Sequence, residues 1–384
     1  MKYTEEKLIS LRKEIHSHPE LGFTETETTK IVKRELSALG LDLIDIGLET
    51  GAAALLRGSK PGPTVVIRSD IDALPVTEKT NVDYTSLNPG KMHACCHDIH
   101  MTATLGCASL LTEKQNELTG NILFLFQPAE ESVSGARKIL DGPLFNNVKP
   151  DAFLGMHAWP DFPFGKVGIW EGPVMAAKCG FKITVNGKGG HGSTPSKTKD
   201  PILAGTAIVN ALQTITSHSV PSQESAVLSV CSIHAGTSDN VIPDSCEILG
   251  SFRSFSAESQ KTMLTRVNEI AVYTAKSYGC TAEIHEENGC PPVLNNAKLT
   301  NIVKETVSDR FGPEGCYDGV PVMISEDFAC YAEKAPICYS LFGVATDDGL
   351  IARLHNGKLC PSHKVLLPAA SFLTDSALAV LKTL

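Results

Sequence analysis

Apolar residues recur along this chain at two alternating periods, one typical of helices and the other of strands. Helical spacing is followed by Leu8, Leu11 and Ile15, and again over 26–39, after which Gly40 ends the pattern. Apolar runs typical of strands lie at 51–57, 64–68, 121–126 and 152–156, with a helix pattern over 101–111. Because strands and helices follow one another at short spacing, the pattern predicts an α/β fold with a mostly parallel sheet.

The middle of the chain has a different pattern. From about 177 to 288 the predicted order is strand, helix, strand, strand, helix, strand, which is the order of a ferredoxin-like α+β unit. After the insert the chain again alternates helices and strands, with a helix pattern over 297–311, a strand over 337–343 and a helix from about Val365. We therefore predict one domain formed by 1–176 and 289–384, with an inserted domain over 177–288.

Composition narrows the class of protein. Of the 384 residues 42% are hydrophobic and 20% charged, a balance typical of a globular protein with a substantial core. The formal net charge is -9 and no segment is rich in lysine or arginine, so we expect neither nucleic acid nor a membrane surface as partner. Residues 1–15 are charged, and the twelve scattered cysteines are typical of reduced thiols, so we expect a cytoplasmic protein.

The segment 92–100 concentrates metal-binding side chains. It holds three histidines, two cysteines and one aspartate in nine consecutive positions. Imidazole and thiolate groups bind divalent first-row metals such as zinc, manganese, iron or cobalt. From this segment alone a second interpretation stays open, in which Cys95 and Cys96 are buried as small apolar residues and the histidines cap a helix.

Acidic and histidine side chains also stand at the ends of three successive predicted strands. They are Asp70 and Asp72, then Glu130 and Glu131, then His157. The carboxyl ends of parallel strands are where α/β proteins place their chemistry, although the two aspartates could equally cap a turn. Neighbouring side chains in an extended segment point to opposite sides, so we expect Glu130 and Glu131 not to bind the same ion.

Taken together, seven motifs resemble the M20 metallopeptidase family, in the same order along nearly the whole chain. They are RSDIDALP (68–75), MHACCHD (92–98), QPAEE (127–131), GMH (155–157), GKGGH (187–191), NVIP (240–243) and SEDF (325–328). The resemblance is strongest to amidohydrolases of N-acyl amino acids, including hippurate hydrolases, N-acetyldiaminopimelate deacetylases and auxin-conjugate hydrolases. Cys96 departs from the pattern, because the family usually has glycine there. Beside a metal-bound thiolate it could alter the metal preference or form an oxidised pair that inactivates the enzyme, but we expect its side chain to fill the space that glycine leaves.

The resemblance implies one or two divalent metal ions, of which manganese, zinc and cobalt are candidates. The implied ligands are Cys95, His97, Glu131, His157 and His355. Such a donor set leaves positions open for water and a substrate carbonyl. Without the resemblance His355 could not be chosen over His363, because either could be a loop histidine in solvent.

The resemblance also implies roles for residues around the metal. Glu130 would be the general base, and His191, in the inserted lid domain, would donate a hydrogen bond to the oxyanion from the same chain or from a second one. Asp72 and Asp98 are predicted to orient histidine ligands through their other ring nitrogen. Arg253 and Asn240 are predicted to bind the substrate, Arg253 through its α-carboxylate.

The sequence therefore predicts a metal-dependent amidohydrolase that cleaves N-acyl, foremost N-acetyl, L-amino acids to a carboxylic acid and a free amino acid. One alternative is a metallo-dipeptidase or carboxypeptidase of the same family, which would prefer a free α-amino group. Another is a metal-binding or ligand-binding homologue without turnover, against which Glu130 argues, since a binder needs no base. The resemblance admits a homodimer or larger homo-oligomer formed through the insert.

Overall fold

The computed structural model describes residues 3–317, 319–345 and 352–384. The helices are α1 (Glu5–His16), α2 (Thr26–Ala38), α3 (His97–Glu113), α4 (Gly135–Asp141), α5 (Leu144–Asn147), α6 (Pro201–Leu212), α7 (Thr214–His218), α8 (Ala257–Ser277), α9 (Ala297–Phe311) and α10 (Leu366–Thr383). The strands are β1 (Asp42–Ile44), β2 (Ala52–Arg57), β3 (Lys60–Asp70), β4 (Thr119–Gln127), β5 (Ala152–Pro163), β6 (Val167–Gly168), β7 (Gly172–Met175), β8 (Ala177–Asn186), β9 (Gly190–His191), β10 (Ala226–Ala235), β11 (Val241–Ile242), β12 (Ser245–Ser254), β13 (Thr281–Cys290), β14 (Val293–Asn295), β15 (Cys316–Tyr317) and β16 (Ile337–Ala345).

The chain divides into two compact units. The first comprises Met1–Val174, Leu294–Val320 and Asp327–Leu384, and the second comprises Met175–Val293 with the short segment Pro321–Glu326. That short segment lies outside the insert predicted from the sequence. It belongs to the second unit because the backbone N–H of Ala176 donates to the carbonyls of Val322 and Ile324.

The first unit is built on an eight-stranded sheet in the order β1-β2-β4-β3-β5-β16-β6-β15. Its centre is parallel, since β3 pairs in parallel with both β4 and β5, and β5 pairs in parallel with β16. Strands β1, β2 and the β6–β16 pair add antiparallel neighbours at the sides. The predicted mostly parallel α/β sheet is confirmed, and the carboxyl ends of β4, β3 and β5 stand side by side.

Apolar side chains of α1, α2, α3, α9 and α10 pack with those of strands β2 to β5 to form the main core of this unit. Helix α3 is buried along almost its whole length, and it packs against α1 and α10. The helical segment His363–Thr383 is long and apolar enough to cross a membrane, the one such segment among the described residues, yet 61% of its apolar 18-residue stretch is buried in the protein. Burial against α3 and α9 is what a core helix requires.

The second unit is a four-stranded antiparallel sheet in the order β10-β12-β8-β13, with α6 and α8 packed on it. Along the chain the order is β8, α6, β10, β12, α8, β13, as predicted for a ferredoxin-like insert. Its separate core contains Phe181, Ile183, Ile208, Ile248 and Val267. Asp200 and Ser256 cap α6 and α8 by accepting hydrogen bonds from first-turn N–H groups.

Candidate metal centre

Cys95 and His97 stand on either side of a sharp backbone turn at the start of α3. Cys96, between them, has φ +67°, in the left-handed region that glycine adopts most easily. This conformation gives the physical reason for a glycine at this position. The Cys96 side chain is 1% exposed and packs in the main hydrophobic core, so it fills space rather than facing the cluster described next.

Donor atoms from four separate segments meet at the carboxyl edge of the sheet. Within each of three groups the atoms lie within 4.8 Å of one another: Cys95, His97 and His157; Cys95, Glu131 and His355; and His97, Glu130 and Glu131. The shared members join the groups into one cluster. It unites six residues that the sequence placed in the site, all from the first unit.

His157 lies inside β5 and does not end a strand, because β5 continues to Pro163. Its Nδ1 donates to the carbonyl of Ala158 at 2.8 Å, and its Nε2 lies 3.5 Å from Cys95 Sγ. Burial, together with the neighbouring His100, holds the pKa of His157 well below its usual range. The ring is therefore neutral and presents a lone pair toward Cys95.

Glu130 and Glu131 occupy a turn. The expectation that they cannot bind the same ion assumed an extended segment here, and that assumption is wrong. The turn follows Ala129, whose φ is +55°, and it brings carboxylate oxygens of both glutamates within 4.8 Å of each other. The main-chain N–H of Glu131 donates to Asp72 Oδ2 at 3.0 Å. That bond ties the turn after β4 to the loop after β3.

His97 is held in one orientation by the loop after β3. Its Nδ1 donates to the main-chain carbonyl of Asp72 at 2.8 Å, and the Asp72 carboxylate lies 3.4 Å from the same nitrogen. Burial lowers the pKa of His97, but the charges of Asp70, Asp72 and Glu131 outweigh burial and raise it to about 10. In the absence of a cation, a proton therefore occupies Nε2.

His355 reaches the cluster from the carboxyl-terminal part of the first unit. Its main-chain N–H donates to the carbonyl of Ala94 at 2.7 Å, and its backbone has φ +63°. Its Nε2 lies 3.4 Å from Glu131 Oε1. His363, the alternative that the sequence left open, has its Nδ1 3.1 Å from Arg12 Nη1 instead.

The donor set fits a divalent cation. Glu131 Oε1 lies 3.8 Å from His97 Nε2, and neither atom has a hydrogen-bond partner of good geometry among the described residues. Burial and the carboxylates of Glu131 and Glu130 raise the pKa of the Cys95 thiol well above its usual range. A cation between these atoms would take the place of the proton on His97 Nε2, satisfy the Glu131 oxygen and favour the thiolate of Cys95.

Asp98 requires a correction. The sequence predicted that it orients a histidine ligand, but its Oδ2 accepts from Arg12 Nε at 2.9 Å and from His16 Nδ1 at 3.0 Å. Both partners belong to α1. Asp98 therefore anchors α1 to the start of α3, because a buried carboxylate needs cationic or hydrogen-bonding partners.

A second polar network below the cluster was missed by the sequence reasoning. His100 Nδ1 donates to Asp70 Oδ1 at 2.6 Å, and its Nε2 accepts from the N–H of Ala158 at 2.8 Å. Arg68 donates to Asp70, Gln127 and Asp327, each at 2.9 Å. A buried arginine inside an otherwise apolar strand was the available signal, since such a charge requires partners.

The other predicted site residues lie in the second unit. His191 is exposed in the short strand β9, which pairs with β11, and its Nδ1 accepts a hydrogen bond from the main-chain N–H of Ser193 at 3.1 Å. The carbonyl of Asn240 accepts from Gly192 at 2.8 Å, so Asn240 lies beside the His191 turn. Arg253 lies in β12 and donates to Ser325 Oγ at 3.2 Å.

A mostly parallel α/β sheet with thiol, imidazole and carboxylate donors at its carboxyl edge defines a metal-dependent hydrolase. Residues 66–379 match the model of Peptidase family M20/M25/M40, and the chain belongs to that family.

Similar proteins agree with this assignment. The chain is 38% identical over 382 residues to an N-acetylcysteine deacetylase of Bacillus subtilis, covering 98% of both chains. It is 36% identical to thermostable carboxypeptidase 1 of Saccharolobus solfataricus, over 94% of this chain and 92% of that one. The crystal structure of the Bacillus subtilis YXEP protein, described as a dinuclear metal-binding peptidase of the M20 family, has a TM-score of 0.86 at 36% identity, with 99% of each chain covered.

Proposed function

We propose that the protein hydrolyses the amide bond of N-acyl L-amino acids, foremost N-acetyl ones, to a carboxylic acid and a free amino acid. The observation that carries this proposal is the position of Glu130. Its carboxylate belongs to the same group of atoms as His97 and Glu131, beside donors that suit a cation. A base next to a metal site is what water attack on an amide requires.

Cys95, His97, Glu131, His157 and His355 are the residues that would hold one or two divalent cations, with manganese, zinc and cobalt as candidates. A bound cation would polarise the scissile carbonyl and lower the pKa of water at the site. The chain's contribution is to fix the donors. His97 is oriented by the carbonyl of Asp72, and His157 by the carbonyl of Ala158.

Glu130 takes a proton from the attacking water and delivers it to the leaving amide nitrogen. This nitrogen must be protonated before the carbon–nitrogen bond can break, because an amide anion is a poor leaving group. Glu130 is 6% exposed, so few water molecules compete for its proton.

His191 is suited to donate to the oxyanion. Because His191 Nδ1 accepts from the N–H of Ser193, the ring proton lies on Nε2. The Nε2–H can then point at developing negative charge on the former carbonyl oxygen. In this assignment Arg253 pairs with the substrate carboxylate, and Asn240 supports the His191 turn.

The geometry of the second unit favours His191 acting from a second copy of the chain. Arg253 pairs with Lys178 at one end of the β8–β12 ladder, and Asn186, just before the His191 turn, pairs with Ser245 at the other. From Ser245 to Arg253 the strand rises about 26 Å, at roughly 3.3 Å per residue. That length exceeds one small substrate, which supports the proposal that His191 acts from a homodimer partner if Arg253 binds the same substrate.

A metallo-dipeptidase or carboxypeptidase is the second candidate, favoured by the 36% identity to a thermostable carboxypeptidase. The two activities differ in the acyl part of the substrate. An N-acyl amino acid amidohydrolase accepts an acyl group without charge, such as acetyl, whereas the second candidate would prefer an aminoacyl group, whose free α-amino group is charged and needs a carboxylate partner.

A substrate panel tests the proposal. Metal-free protein is supplied separately with manganese, zinc and cobalt and assayed on N-acetyl, N-benzoyl and N-succinyl amino acids and on dipeptides. We expect kcat/KM to be highest for N-acetyl amino acids, and strong chelators to abolish it reversibly. Preference for dipeptides would select the second candidate, and full activity in the presence of chelators would exclude both.

A further inference from the structure

The segment 20–25 between α1 and α2 lies against both loops that carry the metal centre. The N–H of Ala73 donates to the carbonyl of Glu20 at 2.8 Å, and Leu21 forms a parallel bridge with Ala73. The N–H of Ala129 donates to Glu25 Oε1 at 2.9 Å. One short segment therefore contacts two parts of the site. It contacts the loop after β3, in which the carbonyl of Asp72 orients His97, and the turn after β4, which contains Glu130 and Glu131.

Ala129 needs such a contact, because its backbone is in a conformation that non-glycine residues avoid. Its φ is +55°, and it immediately precedes Glu130 and Glu131. An alanine leaves this region unless surrounding groups hold it there. Glu25 is fully buried, at 0% exposure, so its hydrogen bond to Ala129 is shielded from water.

A second contact approaches Ala129 from the same segment. A Cβ added at Gly22 would lie 3.0 Å from both Cα and Cβ of Ala129, and 3.6 Å from Asp72 Oδ2. This separation is shorter than ordinary van der Waals contact between carbon atoms. The close approach of Gly22 and the hydrogen bond to Glu25 together restrict Ala129 to its left-handed conformation.

We propose that Glu25 is a positioning residue of the active site: by accepting from the Ala129 N–H, its carboxylate fixes the left-handed turn that presents Glu130 and Glu131. The inference rests on the proposed function for its kinetic effect. Burial raises the pKa of Glu25, and the nearby Asp72 charge adds to that effect.

The test compares Glu25→Ala with Glu25→Gln. Alanine removes the acceptor for the Ala129 N–H, whereas glutamine keeps a carbonyl oxygen in the same place. We expect Glu25→Ala to lower kcat by roughly 10–100-fold with KM changed less than about 3-fold, and to weaken Co²⁺ binding by about 10-fold, the range for groups that support a metal ligand. Glu25→Gln should restore both to within a few-fold of wild type.

Two further variants keep the test decisive. Gly22→Ala should also lower kcat, because its new Cβ displaces Ala129. Glu35→Ala is the matched control: Glu35 is a buried glutamate on α2 that accepts from Tyr3 Oη and Lys7 Nζ, so its loss should lower Tm while kcat stays at wild type.

Wild-type kcat and Co²⁺ affinity in Glu25→Ala would overturn the proposal, and so would an equal loss in Glu25→Gln. A kcat that falls in Glu35→Ala as much as in Glu25→Ala would show that activity follows stability alone. If the wild-type protein cleaved no N-acyl amino acid, the proposed function would fail, while Co²⁺ binding measured by absorbance would still test the position of Glu131. Should Glu25→Ala not fold, Gly22→Ala decides, and wild-type kcat in that variant overturns the proposal.

Discussion

His97 and His100 lie three residues apart on α3, yet their ring nitrogens are used in different ways. His100 donates through Nδ1 to Asp70 and accepts through Nε2 from Ala158, so no lone pair remains for a ligand. His97 donates through Nδ1 to the carbonyl of Asp72 and has no good partner at Nε2 among the described residues. Hydrogen-bond partners thus distinguish two histidines that lie in the first turn of the same helix.

At this scale, Glu130→Gln separates catalysis from metal binding. Glutamine cannot accept the proton from water, so we expect kcat to fall by about 10²–10⁴-fold, the contribution typical of a general base. Metal per chain, measured by mass spectrometry, should stay near the wild-type value. Glu131→Gln is the matched neighbour and should lose metal. Loss of metal in Glu130→Gln as well would contradict the division of roles between the two glutamates.

At the scale of elements, helix α3 has two roles. Its first residues face the metal cluster, and the rest of the helix packs in the hydrophobic core. The left-handed turn at Cys96 makes both possible, because it reverses the backbone just before the helix begins at His97. Cys96 has a buried side chain in a conformation that usually costs about 1 kcal/mol for a non-glycine residue.

We predict that Cys96→Gly changes the free energy of unfolding by less than about 1 kcal/mol, because relief of backbone strain offsets the lost burial. Cys96→Val should destabilise by about 2–4 kcal/mol, since a β-branched side chain is strained at positive φ and overfills the site. Cys107→Val, at a buried position inside the same helix, controls for overfilling alone. Urea unfolding measures all three, and an equal cost at both positions would contradict the role of the turn.

Helix α1 is attached to α3 by buried charges. Asp98 accepts from Arg12 and His16, and His16 Nε2 lies 3.2 Å from Glu78 Oε1. Burial lowers the pKa of His16, but hydrogen bonds to Asp98 and Glu78 outweigh burial and raise it to about 9. The charged form of His16 therefore belongs to the folded state over the neutral pH range.

This attachment predicts a pH dependence of stability. Because the folded pKa of His16 is raised above its unfolded value of about 6.5, its contribution of up to about 3 kcal/mol is full below pH 6.5 and is lost as pH rises through about 9. The Tm difference between wild type and His16→Gln should therefore be largest near pH 6 and shrink above pH 9. His218→Gln, at an exposed position, is the control. A difference that grows with pH would contradict the assignment.

At the scale of the whole molecule, the separation of Arg253 from the His191 turn affects whether the active site needs one copy of the chain or two. Arg253 lies near one end of the β8–β12 ladder and Asn186, which precedes the His191 turn, lies at the other, although Arg253 and His191 are both proposed to act on one substrate. We propose that a second copy of the chain supplies His191, so that the active site is complete only in a homodimer.

Mixing inactive variants tests this arrangement. We expect His191→Ala alone to lose about 10²–10³-fold in kcat, the effect of one missing oxyanion donor. Mixed and reassembled with Glu130→Gln, it should recover up to about a quarter of wild-type activity, since half of random dimers are hybrids and each hybrid has one intact site. A mixture of Glu130→Gln with Glu131→Gln should recover nothing. No recovery in the first mixture would place His191 in the same chain as its site.

Much of the architecture could be predicted from local pattern. The predicted helix over 297–311 coincides with α9, and Asp200 and Ser256 cap their helices as their residue types favour. Lengths were less predictable: β5 extends to Pro163, and the alternation rule failed at Glu130 and Glu131. In both places contacts with neighbouring strands and loops outweigh the conformation that the local sequence favours.

By itself, the sequence determined the alternation of strands and helices, the inserted unit and the types of donor side chain, because periodicity and composition are local properties. Only the tertiary structure decided which donors face one another. His355 meets Glu131 while His363 meets Arg12, and Asp98 supports α1 instead of a ligand histidine. The physical reason is that each choice depends on hydrogen-bond partners far away in the chain, and these become neighbours only when the strands align.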